Sequence, residues 1–254
     1  MSDSGKLIEA FRKELFRWNR QINLVSRKET EDRLAGLFNQ CIGGVGPVLN
    51  ALSSGSSGGG GKPNIHYFDL GSGGGLPGVL WHILFCEKAK LRPAANSEPG
   101  NVRTWLVEPR EKRAWFLDRL NRIPKMPPFA VLHGRWGEVA APGALFPCGG
   151  AGFPVVVISL KALHLDDKEV LAGLRSVFSS FPGSFRVVIA RYYPPEQLFD
   201  SELASLLDIP AQGAAYDVDG YLYTGLGGEV APLDKPGAGQ ASLVLSSYDV
   251  SFIG

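Results

Sequence analysis

A glycine-rich run that directly follows an apolar stretch is the part of this sequence best suited to chemistry. Residues 69–78 read DLGSGGGLPG and follow the apolar residues 65–68. Because glycine has no Cβ, such a turn lets the backbone approach a ligand closely, and the next helix begins with unpaired N–H groups. A second apolar stretch, 104–107, ends at Glu108, whose carboxylate can accept hydrogen bonds from ribose hydroxyls. Together the two segments predict a site for a nucleoside cofactor.

The spacing of the glycines does not decide which nucleoside binds. Gly73, Gly75 and Gly78 satisfy the dinucleotide pattern G-x-G-x-x-G, which expects its acid about 20 residues further on. Glu108 lies 33 residues after Gly75, and a loop at 86–103 would account for the excess. An NAD site therefore stays open on spacing alone, as does a glycine turn that binds nothing.

Two details favour S-adenosylmethionine. Asp69 ends the first strand at a position from which it can contact a methionine amino group. The five small residues 71–75 also form a wider turn than a pyrophosphate needs.

Hydrophobic patterns predict the elements that hold these residues. Strands are expected at 65–70, 104–107, 129–132, 155–159 and 185–190, and helices at 76–85, 110–122, 168–181 and 195–207. Near-continuous Val and Ile runs indicate strands covered on both faces, hence a parallel sheet. Segments 221–223 and 242–245 are strand-like and predict a terminal antiparallel hairpin.

The N-terminal part of the chain is predicted to be helical. Apolar residues at helical spacing give an amphipathic first helix (Leu7, Ile8, Phe11, Leu15 and Trp18). A second helix is expected from about residue 30 to 43, and the Gly/Ser-rich segment 53–63 reads as a linker. We therefore expect a helical cap over 1–52 and an α/β domain over 64–254.

Composition and charge narrow the class of protein. No apolar stretch approaches the roughly 18 residues of a membrane span, and the four histidines have no metal-ligand spacing. Three scattered cysteines fit a reduced protein, so we expect a cytoplasmic monomer without metal or membrane contact. The first 193 residues carry a net charge of +9 and the rest −8, so one face can meet a polyanion; ordinary solvated helices explain the charge equally well.

Three stretches resemble the RsmG/GidB family: DLGSGGGLPG, LVEPREKRAWFLDRL and VLHGRWGEV, at 69–78, 106–120 and 131–139. The opening WNRQINLV at 18–25 is similar to that family's first helix. Its members are S-adenosylmethionine-dependent methyltransferases that act on a guanine N7 in small-subunit (16S) ribosomal RNA. The resemblance, over about 7–200, implies a Rossmann-like class I methyltransferase with a mostly parallel sheet, a helical N-terminal cap and a C-terminal antiparallel hairpin.

The resemblance also implies roles for single residues. Those expected to bind the cofactor are Asp69, Gly71, Gly73, Gly75, Leu76, Glu108, Arg135, Trp136 and Gly137. Glu108 is expected to take the ribose hydroxyls, and residues 135–137 to lie beside the adenine, where Trp136 is either a ring partner or a plain core residue.

No catalytic residue is assigned, because guanine N7 carries no proton and its methylation needs no general base. Cys148 follows a proline, as the nucleophile of cytosine methyltransferases does, but it precedes the fourth strand, and we interpret it as incidental.

The chain departs from the family pattern on the acceptor side. The family's S-R-A reads SLKA at 159–162, so its arginine is replaced or shifted, and Lys161 is the positive charge there. Residues 191–193 read RYY in place of lysine-glycine, and 37–41 read LFNQC without the family's His and Asp. Lys161, Arg191 and Tyr192 are the expected RNA contacts, although residues 191–193 fit equally well as packed strand-end residues. These departures leave two alternatives open, a methyltransferase with another substrate and a non-catalytic RNA-binding ribosome assembly factor.

Overall fold

The structure of the chain is a computed structural model. It describes residues 2–26, 31–53, 64–91, 102–140, 154–161, 163, 165–177, 184–193, 212–213, 215–218, 221–233 and 242–252. No helix within these ranges is long and apolar enough to cross a membrane. Nor do the described residues bring together three or more His, Cys, Asp or Glu side chains that could hold a metal ion.

Helices and strands alternate along most of the chain. In order they are α1 Asp3–Ile22, α2 Glu31–Gly43, α3 Val45–Ser53, β1 Asn64–Leu70, α4 Gly78–Leu91, β2 Val102–Glu108, α5 Glu111–Leu120, β3 Ala130–His133, β4 Pro154–Lys161, α6 Asp167–Val177, β5 Phe185–Tyr193, β6 Ala215–Val218, β7 Tyr221–Pro232 and β8 Ser242–Phe252.

The strands form one sheet in the order β3-β2-β1-β4-β5-β8-β7-β6. Strands β1 to β5 are parallel, and β8, β7 and β6 continue the sheet in antiparallel pairs. The mostly parallel sheet and the C-terminal antiparallel hairpin are thus confirmed. Because β1 lies between β2 and β4 with the chain crossing over on either side, loops at its carboxyl end face a crevice where ligands bind in such sheets.

Each face of the sheet has its own hydrophobic core, since side chains alternate along a buried strand. Tyr67 and Val157 belong to the core under α1, α2, α4 and α5. Phe68 and Ile158, one residue further along each strand, belong to the opposite core, which includes residues of α6. The parallel strands are buried on both sides, as their Val- and Ile-rich sequences require.

Helix α1 is amphipathic and lies against the sheet's first core. Its N-cap Ser2 accepts a hydrogen bond from the Gly5 N–H at 3.1 Å, and its apolar stripe buries Phe11 and Leu15 completely. The helix ends at Asn23, which has left-handed backbone angles (φ 58°). The chain then turns back, and the Val25 N–H donates to Asn19 Oδ1 at 2.9 Å.

Some predicted boundaries differ from the structure. Residues 86–91, expected in a loop, belong to α4, which continues to Leu91 through residues of good helix propensity. The rest of that predicted loop up to 101 lies outside the described residues. The short helix α3 and the edge strand β6 were not predicted separately. The Gly/Ser-rich segment 54–63, the helix at 195–207 and the cysteine at 148 lie outside the described residues.

Candidate functional site

The glycine-rich run forms a tight turn fastened to the end of β2. Gly71, Gly73 and Gly75 have φ values of 69°, 54° and 84°, which side-chain-bearing residues rarely adopt. The N–H groups of Gly71 and Ser72 both donate to the Val107 carbonyl, at 2.9 and 3.0 Å. The turn therefore has a defined shape that depends on glycine at these positions.

Glu108 joins this turn to the neighbouring strand. One carboxylate oxygen accepts from the Gly73 N–H at 2.8 Å, and the other accepts from the Arg110 N–H at 2.9 Å. The residue is only 2% exposed. A carboxylate oxygen has about two acceptor sites, so each oxygen keeps one for a further donor. The predicted ribose-binding acid and the glycine turn are thus in direct contact.

Asp69 lies beneath the turn and is 1% exposed. Its side chain accepts a hydrogen bond from Ser159 Oγ at 2.5 Å, and Ser159 Oγ is in turn 2.7 Å from the Tyr67 hydroxyl. Burial raises the pKa of Asp69 to about 6, although the Ser159 hydrogen bond acts in the opposite direction. The structure gives Asp69 a place in the support of the turn, and its contact with a methionine amino group stays a prediction.

Helix α1 closes the turn from outside the sheet. A Cβ at Gly75 would lie 2.7 Å from Val79 Cγ2 and 3.2 Å from Phe11 Cζ. A Cβ at Gly74 would lie 3.1 Å from Leu15 Cδ1. The turn is therefore clamped between α1 and the sheet.

Two further contacts complete this packing. Leu76 is 8% exposed and packs in the same core as α1. Arg113 Nη2 donates to the Asn23 carbonyl at 3.0 Å, which ties α5 to the end of α1.

The segment 134–137 reaches Glu108 by its backbone alone. The Gly134 N–H donates to the Glu108 carbonyl at 3.2 Å. Trp136 turns towards the other face of the sheet, where its indole N–H donates to the Val170 carbonyl at 3.0 Å and its ring packs against Gly173 in α6. The ring thus occupies space left by the missing side chain of Gly173.

The remaining predicted contacts of this segment stay predictions. Arg135 and Gly137 are exposed, and Gly137 has a φ of 87°. The Trp136 ring also lies 5.6 Å from that of Phe68. These contacts match the core role that the sequence left open for Trp136, and none of them involves the glycine turn.

On the acceptor side, Lys161 and Tyr192 meet α2 at Cys41. Lys161 Nζ is 3.8 Å from Cys41 Sγ and 5.8 Å from the centre of the Tyr192 ring. The Tyr192 hydroxyl donates to the Cys41 carbonyl at 3.3 Å. Burial raises the pKa of the Cys41 thiol and that of Tyr192, so both stay protonated beside the lysine.

Arg191 does not join this group. It forms an ion pair with Asp167 at the start of α6, where both side chains are almost buried, and its Nη2 donates to the Leu165 carbonyl at 3.2 Å. Neighbouring residues of a strand point to opposite faces. Arg191 and Tyr192 therefore lie on opposite faces of the sheet; the contacts of Arg191 match the packed strand-end role that the sequence left open, and its contact with RNA stays a prediction.

Several residues of the site were not identified from the sequence. Ser159 stands opposite Asp69 in the β1–β4 register, a pairing that the two strand motifs indicate only once their alignment is known. Cys41 is 120 residues from Lys161 along the chain, and the resemblance placed 37–41 and 161 on one side without predicting their contact. Below, Asp69, the turn 71–76 and Glu108 are called the cofactor half, and Cys41, Lys161 and Tyr192 the acceptor half.

A doubly wound sheet with a glycine turn after its central strand and an acid after the neighbouring one defines a Rossmann-like, nucleoside-binding class of protein. The predicted fold class is confirmed.

The chain belongs to the GidB family. The family model, described as rRNA small subunit methyltransferase G, matches residues 5–144, more than half of the chain. This range includes α1 from its third residue onwards, the whole cofactor half and the segment 134–137.

Curated relatives carry the name Ribosomal RNA small subunit methyltransferase G. That of Bordetella petrii is 28% identical over 175 residues, which cover 68% of this chain and 55% of the relative. That of Bordetella avium is 28% identical over 185 residues, covering 72% and 66%. The chain thus spans between about half and two thirds of the length of these relatives.

A solved structure of M. jannaschii TYW2 in complex with AdoMet has a TM-score of 0.36 and 9% identity, covering 82% of this chain and 77% of that one. A likeness of this size supports no inference about function.

Proposed function

We propose that the chain is an S-adenosylmethionine-dependent methyltransferase that acts on guanine N7 in small-subunit ribosomal RNA. The observation that carries the proposal is the direct contact between Glu108 and the glycine turn at Gly73. Membership of the GidB family supports the rRNA methyltransferase activity, and the choice of N7 rests on the sequence resemblance.

The cofactor half fits the group that this activity requires. Each Glu108 oxygen already holds one backbone N–H and keeps an acceptor site that suits a ribose hydroxyl. Gly71 is exposed at the edge of the turn, where the backbone can meet a ligand. The further residues proposed to hold the cofactor are Asp69, Gly73, Gly75, Leu76, Arg135, Trp136 and Gly137. Trp136 would contribute by its backbone, because its ring packs against Gly173.

The chemistry follows from the acceptor atom. S-adenosylmethionine supplies a methyl group on a positively charged sulfur. The N7 lone pair forms the new N–CH₃ bond as the S–CH₃ bond breaks, so the positive charge passes from sulfur to the guanine and no proton moves. The protein's task is then to hold the base in line with the methyl group at near-attack distance.

Lys161 and Tyr192 are proposed to face the RNA. The lysine can hold a phosphate as a point charge, and the tyrosine ring can line the base pocket. Arg191 is also a proposed RNA contact. Because its guanidinium forms an ion pair with Asp167, it would act by positioning the residues beside it on β5.

The remaining parts of the proposal concern organisation and setting. Residues 1–52 are proposed as a helical cap, 53–63 as a linker and 64–254 as the S-adenosylmethionine-binding domain. The protein is proposed to work in the cytoplasm as a monomer, on ribosomal RNA or the small subunit.

One observation favours a second candidate, a methyltransferase of the same fold with a different acceptor. The three places where the sequence leaves the family pattern lie at 37–41, 161 and 191–193, and residues from all three meet at Cys41. Substitutions that contact one another indicate that the acceptor half was rebuilt as a unit.

Two measurements test the proposal. Calorimetric titration should show S-adenosylmethionine binding in the micromolar range and no comparable binding of NAD; the reverse result would refute the cofactor. Transfer of a tritiated methyl group should label small-subunit RNA, either in the subunit or as naked RNA. Label found only in another RNA, in protein or in small molecules supports the second candidate, and no transfer despite cofactor binding supports an assembly factor.

A further inference from the structure

The outer side of α1 and α5 carries two tryptophans whose rings meet. The Trp18 and Trp115 ring centres are 4.9 Å apart, with an angle of 74° between the planes. Trp115 is 47% exposed, although such a large ring is normally well buried. An aromatic surface is therefore exposed to solvent where α1 packs against α5.

Arginines surround the tryptophan pair. The guanidinium carbon of Arg119 lies 5.1 Å from the Trp18 ring centre and 5.9 Å from that of Trp115. That of Arg17 lies 5.8 Å from the Trp18 ring centre, and its side chain is 64% exposed. Glu14 fixes the group by accepting the Trp18 indole N–H at 3.0 Å. The cluster is thus ordered before any partner binds.

A basic groove lies on another side of α1, towards Leu34 of α2, since Phe16 and Trp18 are about 200° apart around a helix of 3.6 residues per turn. Its volume is about 480 Å³, and its lining residues are Arg12, Lys13, Phe16, Arg17, Arg20, Gln21 and Leu34. These described lining residues include four cations and no acid. Phe16 is 38% exposed, and the Arg20 guanidinium carbon lies 5.3 Å from its ring centre. Aromatic rings and cations therefore lie on two sides of α1, and Arg17 contributes to both.

Charge and ring chemistry together indicate the kind of partner. Residues 2–26 hold five bases and three acids, and residues 102–125 hold seven and three. Glu14 is the shared counter-charge of Arg17 and Arg119, at 3.6 Å from each, so one positive charge stays uncompensated in this group. A protein partner with an apolar surface would bury that charge, which is costly. A polynucleotide offers phosphates for the cations and a π-face on every base for the rings.

We propose that this surface binds single-stranded RNA. The surface is called the tryptophan face below, and its members are Arg17, Trp18, Trp115 and Arg119. The ring of Trp115 stacks on a base, and Arg17 holds a phosphate beside it. The inner side of α1 packs on the glycine turn, so RNA bound here lies next to the candidate active site. The proposal rests on the proposed function, because it adds a docking surface for the same substrate class.

The test is a fluorescence anisotropy titration of the full chain with a fluorescein-labelled, unstructured RNA of about 20 nucleotides. Trp115→Ala should weaken binding by about 5- to 100-fold, the usual effect of losing one stacked base, whereas Trp115→Phe should stay close to the unchanged protein. Leu226→Ala is the matched control, since Leu226 is an exposed apolar residue (38%) on β7.

The cations are tested by salt dependence. Arg17→Ala should lower the slope of log affinity against log salt by about 0.7, the value for one phosphate contact on a single strand. Lys6→Ala serves as the control, because this exposed cation lies on α1 outside the tryptophan face. Circular dichroism must show that each variant is folded.

The outcomes separate this proposal from the proposed function. Unchanged RNA affinity in folded Trp115→Ala overturns the tryptophan face, even where S-adenosylmethionine binds and methyl transfer continues. RNA binding that needs Trp115 in a protein that does not bind S-adenosylmethionine supports the face and refutes the proposed function. A third outcome is that Trp115→Ala binds assembled subunits more weakly while its affinity for naked RNA is unchanged. That result assigns the face to a ribosomal protein and also overturns the proposal.

Discussion

The cofactor half and the acceptor half lie at the same edge of the sheet but are held by different kinds of contact. Backbone groups shape the cofactor half: two N–H groups bind one carbonyl, and two more bind Glu108. Side chains shape the acceptor half, where Lys161 and Tyr192 both meet Cys41. Backbone geometry tolerates little substitution, whereas side chains in contact can be exchanged together. The sequence resembles the family motif in the cofactor half and departs from it in the acceptor half, which is the direction that this difference favours.

The largest expected effect concerns the backbone of the cofactor half. Gly75→Ala should lower the free energy of unfolding by about 2–5 kcal/mol, because the residue has a left-handed backbone and its Cβ would meet Val79. Gly227→Ala is the matched control, since Gly227 has a φ of 93° with nothing within 4 Å of a Cβ, and should cost only about 1–2 kcal/mol. Equal losses in urea unfolding would show that the turn is not tightly clamped.

The next effect is a pH dependence of stability that comes from Asp69. Its folded-state pKa is raised to about 6, so the folded state binds the proton more tightly than the unfolded state does. The free energy of unfolding therefore falls as pH rises from about 4 to 6, by about 3 kcal/mol in total. The Asp69→Asn variant lacks this titrating carboxyl. The difference between its free energy of unfolding and that of the unchanged protein should therefore rise by the same amount over the same pH range.

Urea unfolding at pH 4, 5, 6 and 7 measures this difference. Burial also lowers the pKa of His66 and of His82 to about 4, which costs stability as pH falls below about 6.5. Both proteins share these histidines, so their contribution cancels. A difference that does not change with pH would contradict the burial of the Asp69 carboxyl.

A smaller effect concerns cofactor affinity. Glu108→Ala should weaken S-adenosylmethionine binding by about 1–3 kcal/mol through the lost hydrogen bonds. Glu111→Ala, an exposed acid in the first turn of α5, should leave the affinity unchanged. Calorimetric titration of both variants gives the comparison, and equal affinities would show that Glu108 is misplaced as the ribose ligand.

The smallest expected effect shows whether a residue serves the acceptor half without affecting the cofactor half. Lys161→Ala should reduce methyl transfer to RNA by about tenfold, which is about 1.4 kcal/mol, and leave cofactor affinity unchanged. Lys125→Ala, an exposed cation outside both halves, is the control. A fall in cofactor affinity with Lys161→Ala would instead assign the lysine to the cofactor half.

Sequence patterns predicted the parallel strands, the glycine turn and the position of Glu108, because each depends on local residue types and on strands that end at one edge. They could not predict that Trp136 packs against Gly173, since the space for the ring is provided by a different helix. The contact of Lys161 with Cys41 likewise depends on how α2 crosses the sheet. The separation of Arg191 from Tyr192 follows from strand alternation and could have been expected once β5 was known to reach Tyr193.

Helix α1 contacts both the glycine turn and the tryptophan face, so the two proposed ligands would be thermodynamically linked through it. Phe11 and Leu15 lie against the glycine turn, while Arg17 and Trp18 lie on the tryptophan face. A nucleoside that tightens the turn and an RNA that binds the outer side would then act on one helix. Any factor by which the first ligand changes the affinity of the second must equal the factor in the reverse direction. The helix would thus couple binding of the nucleoside cofactor to binding of the RNA.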